Sequence, residues 1–136
     1  MKKIPTTLLV VAAALVREDG RILLQKRPEG RSMVGLWEFP GGKLEEGETP
    51  EIALVRELKE ELAVKIDPMN LRPACFASAS VGDRPLLLML YICTKWTGEP
   101  VAVESPELGW FTVDEMAKLQ MPPADIPLLG LLKKLL

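Results

Sequence analysis

Three glutamates, Glu57, Glu60 and Glu61, are spaced so that a helix would place their carboxylates on one face. Like charges at these spacings repel one another, and a divalent cation bound between them removes that cost. Clustered carboxylate oxygens are ligands that Mg²⁺ accepts. Arg56 lies four residues before Glu60 and can steady its carboxylate. Because three glutamates alone are more often a solvated face, the residues around them decide between the two interpretations.

Those residues predict a helix over residues 51–62. Thr49 is a suitable N-cap, and Pro50 suits the first helical position, where its missing N–H has no partner to lose. No glycine or proline interrupts the segment that follows. Apolar residues repeat at steps of three and four along one stripe: Leu54, Val55, Leu58 and Leu62. The helix therefore has an apolar face for the core and an acidic face for chemistry.

The glutamates belong to a longer pattern over residues 42–64. Gly42 is followed after five residues by Glu48, and after seven more by the sequence RELKEELAV. This pattern resembles the Nudix box, the signature of the Nudix hydrolases. Every charged position matches, and the one departure is Ala63, where the family usually has glycine. That glycine ends the helix with a positive φ, so we expect Ala63 to add about 1 kcal/mol of strain without abolishing activity.

Three further blocks resemble the MutT-type branch of the same family. They are LWEFPGGK at residues 36–43, KWTGEP at residues 95–100 and MPPADIPLL at residues 121–129. The resemblance implies an α/β protein with the Nudix fold, an α/β/α sandwich with a mixed β-sheet. It also implies one Nudix domain over residues 1–136.

The resemblance implies a metal site and a catalytic set. Its metal ligands would be the backbone carbonyl of Gly41, just before the box, and the carboxylates of Glu57, Glu60, Glu61 and Glu104. For Glu104, the alternative is a solvated loop acid. The catalytic set would be Glu57, Glu60, Arg56 and Glu48, with Glu57 or Glu60 as the general base. The expected cofactor is Mg²⁺, with Mn²⁺ as a substitute.

The resemblance also implies a nucleotide site. Arg27 matches an arginine that contacts the nucleotide phosphate, although an arginine at a strand end is more often merely exposed. The segment beside the nucleotide would be Glu38, Phe39, Pro40 and Gly41. For Glu38, the alternative is a charge at a hairpin edge.

Asp125 bears on the preferred base. The MutT of gut bacteria has asparagine at this position, and the CTP-pyrophosphohydrolase branch has aspartate. An ionised aspartate only accepts hydrogen bonds, which favours amino groups such as that of cytosine or adenine. A protonated one in a dry pocket also donates. Helix capping is the structural alternative, since Asp125 precedes a predicted helix and Pro127 suits its first turn.

Composition narrows the classes of partner. The chain has 136 residues, of which 17 are basic and 19 acidic, so no basic field favours a nucleic-acid polymer. The absence of histidine excludes a Ser-His-Asp triad and histidine metal sites. Cys75 and Cys93 lie far apart in apolar surroundings, which favours reduced thiols and a cytoplasmic protein. We expect a monomer or a homodimer, with no membrane partner.

The remaining elements follow from apolar runs and breaks. Lys2 and Lys3 before the apolar residues 8–16 superficially resemble a signal peptide, but a turn at residues 18–20 makes this run a core strand. Residues 21–27 are its expected hairpin partner. The other expected strands are residues 74–81, 85–96 and 108–112, the second of them central. Short helices are expected at residues 113–119 and 126–136, and a loop at residues 28–36.

These expectations lead to one main hypothesis and three alternatives. The main one is a Mg²⁺-dependent pyrophosphohydrolase that converts a nucleoside triphosphate to the monophosphate and pyrophosphate, and removes oxidised nucleotides such as 8-oxo-dGTP. A close alternative prefers CTP or 5-methyl-dCTP. A second is a Nudix hydrolase of ADP-ribose or dinucleoside polyphosphates. A non-enzymatic alternative, a nucleotide-sensing module, is disfavoured because such domains tend to lose the box glutamates.

Overall fold

The computed structural model describes residues 6–136, so that Lys2 and Lys3, invoked above for a signal peptide, lie outside the described residues. The strands are β1 Leu8–Leu15, β2 Ile22–Lys26, β3 Trp37–Glu38, β4 Gly41–Lys43, β5 Arg72–Val81, β6 Arg84–Cys93 and β7 Leu108–Phe111. The helices are α1 Pro50–Leu62, α2 Val113–Met116 and α3 Ile126–Leu135, with a 3₁₀ turn at Pro68–Asn70. Among the described residues, no helix has the length and apolar character needed to cross a membrane.

A mixed four-stranded sheet forms the middle layer. Its order is β4-β1-β6-β5, with β1 and β6 parallel and the outer pairs antiparallel. Alternate residues of β1 face opposite sides: Val11 and Leu15 pack into the core that contains α1, while Ala12 and Ala14 pack into the core that contains α3. This is the predicted α/β/α sandwich with a mixed sheet. The predicted central strand, β6, lies between β1 and β5.

The hairpin predicted between the first two strands is wrong. A turn does form, with a hydrogen bond from Arg17 N to Arg21 O and a single bridge between Val16 and Ile22. Beyond it, β2 leaves β1 and pairs with β3 and β7 in a separate three-stranded antiparallel sheet. The reason is that a strand has two edges, and those of β1 are already occupied by β4 and β6.

Helix α1 begins and ends as its sequence predicts. Thr49 is the N-cap, and its Oγ1 accepts a hydrogen bond from Ile52 N at 3.3 Å. Pro50 occupies the first turn. Ala63 ends the helix in the left-handed region, with φ 58°, and its N–H donates to Lys59 O. The predicted stripe is buried at Leu54, Leu58 and Leu62, and Val55 packs partly buried beside them.

Replacing Ala63 with glycine should stabilise the protein by about 1 kcal/mol, because an L-residue in the left-handed region is strained and glycine is not. Urea unfolding measures the change. The matched control is Ala53→Gly within α1, which should instead lose about 1 kcal/mol or more, because glycine loses more backbone entropy on folding and a buried methyl group is removed. An Ala63→Gly protein no more stable than the wild type would show that the left-handed residue carries no strain.

Candidate active site

The three glutamates of α1 share a face but differ in exposure. Glu61 is 6% exposed, the side chain of Glu57 is 17% exposed, and that of Glu60 is 53% exposed. The acidic face therefore runs from the protein interior at Glu61 to solvent at Glu60. The alternative of a uniformly solvated face is wrong for Glu61 and Glu57.

Glu61 is held from two sheets. Its Oε2 accepts a hydrogen bond from Gly41 N on β4 at 3.0 Å, and its Oε1 accepts one from Gln25 Nε2 on β2 at 3.0 Å. Burial above all, together with the nearby carboxylates of Glu57, Glu38 and Glu104, raises the pKa of Glu61 to about 8, although the bond from Gln25 opposes the rise. Glu61 is thus a fixed carboxyl group in a place that disfavours its negative charge.

Arg56 connects the helix to the loop before it. Its Nε and Nη2 donate to both oxygens of Glu48, at 2.8 and 2.9 Å, in the bidentate geometry that makes arginine–carboxylate pairs strong. Its Nη1 donates to Glu57 at 2.9 Å and to Glu60 at 3.4 Å. The predicted contact with Glu60 therefore exists, but Glu48 is the main partner. Glu48 also accepts from Glu45 N, so that the loop is fastened to α1.

Two glycines bring the backbone up to the acidic face. A Cβ on Gly41 would lie 1.9 Å from the carbonyl oxygen of Val11, so only glycine allows β4 to approach β1 here. A Cβ on Gly42 would lie 2.4 Å from the carboxyl carbon of Glu57. Burial in this position raises the pKa of Glu57, and Arg56 opposes that rise. Gly41 thus lets two backbone segments approach, and Gly42 leaves room for the Glu57 carboxylate against the backbone.

The donor set suits a hard divalent cation. Carboxylate oxygens are its preferred ligands. Burial, and to a lesser extent mutual repulsion, raises the pKa values of Glu57 and Glu61, so a nearby positive charge would favour their ionised forms. Within residues 6–136, however, no three His, Cys, Asp or Glu side chains converge as a ready-made cage. Arg56 holds Glu57 and Glu60, and backbone and amide N–H groups hold Glu61.

Glu104 lies in the loop before β7. Its side chain is 46% exposed, and one of its oxygens lies 3.9 Å from Arg31 Nη2. It is also near enough to the helix to raise the pKa of both Glu57 and Glu61. Glu104 is therefore half solvated, as a loop acid would be, and it still belongs to the electrostatic surroundings of the acidic face.

Arg27 and Glu38 form an internal ion pair. Arg27 Nη1 lies 2.8 Å from Glu38 Oε2, and Arg27 Nε donates to Ser32 O at 2.7 Å. Their side chains are 20% and 17% exposed, and burial raises the pKa of Glu38. Arg27 is therefore not merely an exposed strand-end arginine. Glu38 does lie at a hairpin edge, on the edge strand β3, but it is largely buried and paired with Arg27.

Phe39 and Pro40 are buried between this ion pair and the acidic face. Pro40 O accepts a hydrogen bond from Ala13 N on β1 at 2.9 Å, and Phe39 N donates to Asp125 Oδ2 at 3.2 Å. The capping role considered for Asp125 is wrong. It occupies the N-cap position of α3, but its side chain makes no capping hydrogen bond because it turns to Phe39 instead. Burial raises the pKa of Asp125 to about 7.

An open cleft lies between the ion pair and the loop of Glu104. Its volume is about 430 Å³. It is lined by Arg27, Pro28, Glu29, Val34, Gly35, Glu104, Ser105 and Pro106. Arg27, the residue expected at a phosphate, and Glu104, one of those expected at the metal, therefore both line this cleft.

Gln25 is the site residue that sequence reasoning missed. It is 5% exposed and donates to Glu61 from β2. Its signal in the sequence is an amide directly after the apolar run ILL of the strand. The amide alone does not identify the site, because its hydrogen-bond partner Glu61 lies 36 residues away in the sequence.

Comparison with known proteins gives a consistent result. Residues 6–132 match the family model of the NUDIX domain. The chain is 37% identical to CTP pyrophosphohydrolase of Escherichia coli K12 over 122 residues, covering 90% of this chain and 89% of that protein. It is 35% identical to 8-oxo-dGTP diphosphatase of the same strain over 128 residues, covering 93% and 98%.

Solved structures of the same family superpose on this chain. The solution structure of the E. coli ORF135 protein superposes with a TM-score of 0.86 and 36% identity, covering 96% of this chain and 91% of that one. The crystal structure of a MutT NUDIX hydrolase from Burkholderia pseudomallei gives a TM-score of 0.80 at 30% identity, covering 92% and 97%.

Glu48→Gln should destabilise the protein near pH 6 and much less near pH 3. The hydrogen bonds from Arg56 lower the pKa of Glu48 from 4.5 to about 2 in the folded state, so the stability it contributes is present above its ordinary pKa and is lost as the pH falls towards 2. Thermal unfolding of both proteins across this range measures the difference in Tm. The control is Glu46→Gln, because Glu46 forms no ion pair with any described residue. An equal Tm difference at both ends of the range would contradict the proposed linkage.

Proposed function

The chain belongs to the Nudix family, and from this premise we propose that it is a Mg²⁺-dependent nucleoside triphosphate pyrophosphohydrolase. It converts a nucleoside triphosphate and water to the nucleoside monophosphate and pyrophosphate, and it acts in the cytoplasm on oxidised nucleotides such as 8-oxo-dGTP. The observation that carries the proposal is the complete acidic face of α1, buried at one end against Gly41 and Gly42. Relatives named 8-oxo-dGTP diphosphatase and CTP pyrophosphohydrolase support it.

Nudix hydrolases generally use divalent metals, and we propose Mg²⁺ here. The Gly41 carbonyl and the carboxylates of Glu57, Glu60, Glu61 and Glu104 would hold it. When bound, the ion neutralises charge on the phosphates, polarises the phosphorus and lowers the pKa of bound water. Glu61 has the most to gain from a cation, since burial disfavours its negative charge.

The protein's own groups supply positioning and proton transfer. Glu57 or Glu60 orients the attacking water and accepts its proton. Arg56 donates to both carboxylates and is itself fixed by Glu48, so the pair sets where these oxygens can lie. We propose attack at the β-phosphorus, which gives the monophosphate and pyrophosphate.

The substrate lies along the cleft in this proposal. Arg27, which lines the cleft, contacts a phosphate. The neighbouring segment Glu38, Phe39 and Pro40, which does not line the cleft itself, lies beside the nucleoside. Asp125 hydrogen-bonds the base. Its raised pKa matters here, because near neutral pH the carboxyl group exists both as an acceptor and as a donor.

A second candidate is a pyrophosphohydrolase that prefers CTP or 5-methyl-dCTP. The observation in its favour is Asp125 itself, since an ionised carboxylate accepts from the amino group of cytosine. The 37% identity to a CTP pyrophosphohydrolase also favours it. The two candidates share the metal site and the reaction and differ only in the base.

One initial-rate panel tests the proposal. Pyrophosphate release with Mg²⁺ is measured for 8-oxo-dGTP, dGTP, CTP, 5-methyl-dCTP and 2-hydroxy-dATP, with ADP-ribose as a substrate of the alternative class. We expect turnover of triphosphates, and Glu57→Gln or Glu60→Gln should lower kcat by about a hundredfold or more while the fold survives. Glu46→Gln, an exposed glutamate before α1, is the control and should keep the wild-type rate.

Three results would count against the proposal. No pyrophosphate from any triphosphate would refute it, and tight nucleotide binding with no hydrolysis would favour a sensing module. Preferred cleavage of ADP-ribose would assign the site to another substrate class. Wild-type rates in both Glu57→Gln and Glu60→Gln would show that this face of α1 does not carry the catalytic groups.

Asp125→Asn should change the pH dependence of substrate binding. The pKa of Asp125 is raised to about 7, so the wild-type carboxyl group is mostly protonated near pH 6 and mostly ionised near pH 8. KM for 8-oxo-dGTP should therefore rise about tenfold between those values, because the donor is lost, and KM for CTP should fall. Asparagine does not titrate, so the variant should show neither trend and should favour the oxopurine. The same pH profile in both proteins would exclude Asp125 from base recognition.

A further inference from the structure

Gln25 is a buried amide with an incomplete set of partners. It lies on β2, the middle strand of the three-stranded sheet, and is 5% exposed. Its Nε2 donates to Glu61, and its Oε1 is buried with no hydrogen-bond partner among the described residues. A buried amide oxygen without a partner costs free energy. The amide is therefore retained at this position despite a cost that an apolar side chain would avoid.

The strand itself supports an apolar residue at this position. Leu23, two residues earlier on the same face, packs in the core against Leu54, Leu58 and Leu62 of α1. Gln25 continues that row and meets Glu61, where the buried face of the helix turns acidic. A methionine fits this position in size and character. Packing alone therefore does not explain the amide.

The hydrogen bond to Glu61 does explain it. Each carboxylate oxygen has two acceptor positions, and a fixed donor on each oxygen determines where the remaining ones point. Gly41 N fixes Oε2 and Gln25 Nε2 fixes Oε1. Removal of the Gln25 donor leaves one oxygen unrestrained in a buried pocket.

Neutrality matters as well. Gln25 stands opposite Glu38 in the register of β2 and β3, and Glu38 already raises the pKa of Glu61. An amide supplies a donor between the two carboxylates without adding a third negative charge. Among side chains of this length, glutamine meets both requirements.

We propose that Gln25 is a positioning residue for the metal site: it orients the Glu61 carboxylate so that its free lone pairs face the bound cation. Groups that orient metal ligands in this way commonly change metal affinity by ten- to a hundredfold. The inference rests on the proposed function through Glu61 as a ligand. It predicts that loss of the donor weakens metal binding without weakening the fold.

The test compares Gln25→Met with Leu23→Met in the full chain. Mn²⁺ binding is measured by electron paramagnetic resonance without nucleotide, together with the Mg²⁺ concentration that half-saturates turnover and the Tm without metal. We expect Gln25→Met to weaken Mn²⁺ binding and raise the Mg²⁺ requirement by about tenfold or more. The Tm should change little, because removal of the unpartnered Oε1 offsets the lost hydrogen bond to Glu61. Leu23→Met, a volume-conserving change that touches no ligand, should leave both metal measurements as in the wild type.

A second variant keeps the test decisive if Gln25→Met does not fold. Gln25→Asn keeps the amide but shortens it by one methylene, so that its N–H falls short of Glu61, and it should weaken Mn²⁺ binding in the same way. Unchanged metal binding in either folded variant, or equal weakening in Leu23→Met, would overturn the proposal. Failure of both Gln25 variants to fold would also overturn it, since the role would then be structural.

The two proposals fail in different ways. Mn²⁺ binding needs no turnover, so an inactive wild type would refute the pyrophosphohydrolase and leave the comparison of Gln25 variants intact. An active wild type whose Gln25 variants bind Mn²⁺ normally would refute only the role of Gln25.

Discussion

The acidic face of α1 depends on keeping carboxylates close together and partly out of water. Glu61 is buried and Glu57 is largely buried. Burial disfavours the ionised form of each and so raises its pKa. The structure opposes this cost with a guanidinium on one side and with backbone and amide N–H groups on the other. These donors come from different elements, so α1, β4 and β2 must lie next to one another at the acidic face. The packing of the remaining elements keeps them there.

The two cores on either side of the mixed sheet fix that meeting place. Helix α1 packs by Leu54, Leu58 and Leu62 onto one face of β1, while α3 packs on the other. β4 lies against β1 so closely that Gly41 has no room for a side chain. The separate sheet of β2, β3 and β7 then brings Gln25 to the helix from a second direction. Displacement of any of these elements would expose a buried carboxylate or leave it without its donor.

Local signals predicted local structure well. The N-cap at Thr49, the proline at the first turn and the apolar spacing define α1 within the segment itself, and Ala63 adopts the left-handed conformation that the box pattern implied. The partner of β2 was not predictable in this way, because it depends on which edges of β1 are free. The capping prediction for Asp125 failed for a related reason. Its position before α3 favours a cap, but its carboxylate accepts from the backbone N–H of Phe39, which is distant in sequence. Sequence spacing predicts which side chains share an element, whereas partners across elements depend on the packed whole.

A single short segment links the two halves of the proposed site. Phe39 N donates to Asp125, Gly41 N donates to Glu61, and between them Pro40 O accepts from β1. Pro40 has no N–H of its own, so the segment presents donors to the two acids and none between them. The carboxyl group proposed for the base and the one proposed for the metal therefore accept from backbone N–H groups only two residues apart in the chain. Residues 39–41 are held by hydrogen bonds to β1, α1 and Asp125, although Phe39 and Pro40 belong to no regular element.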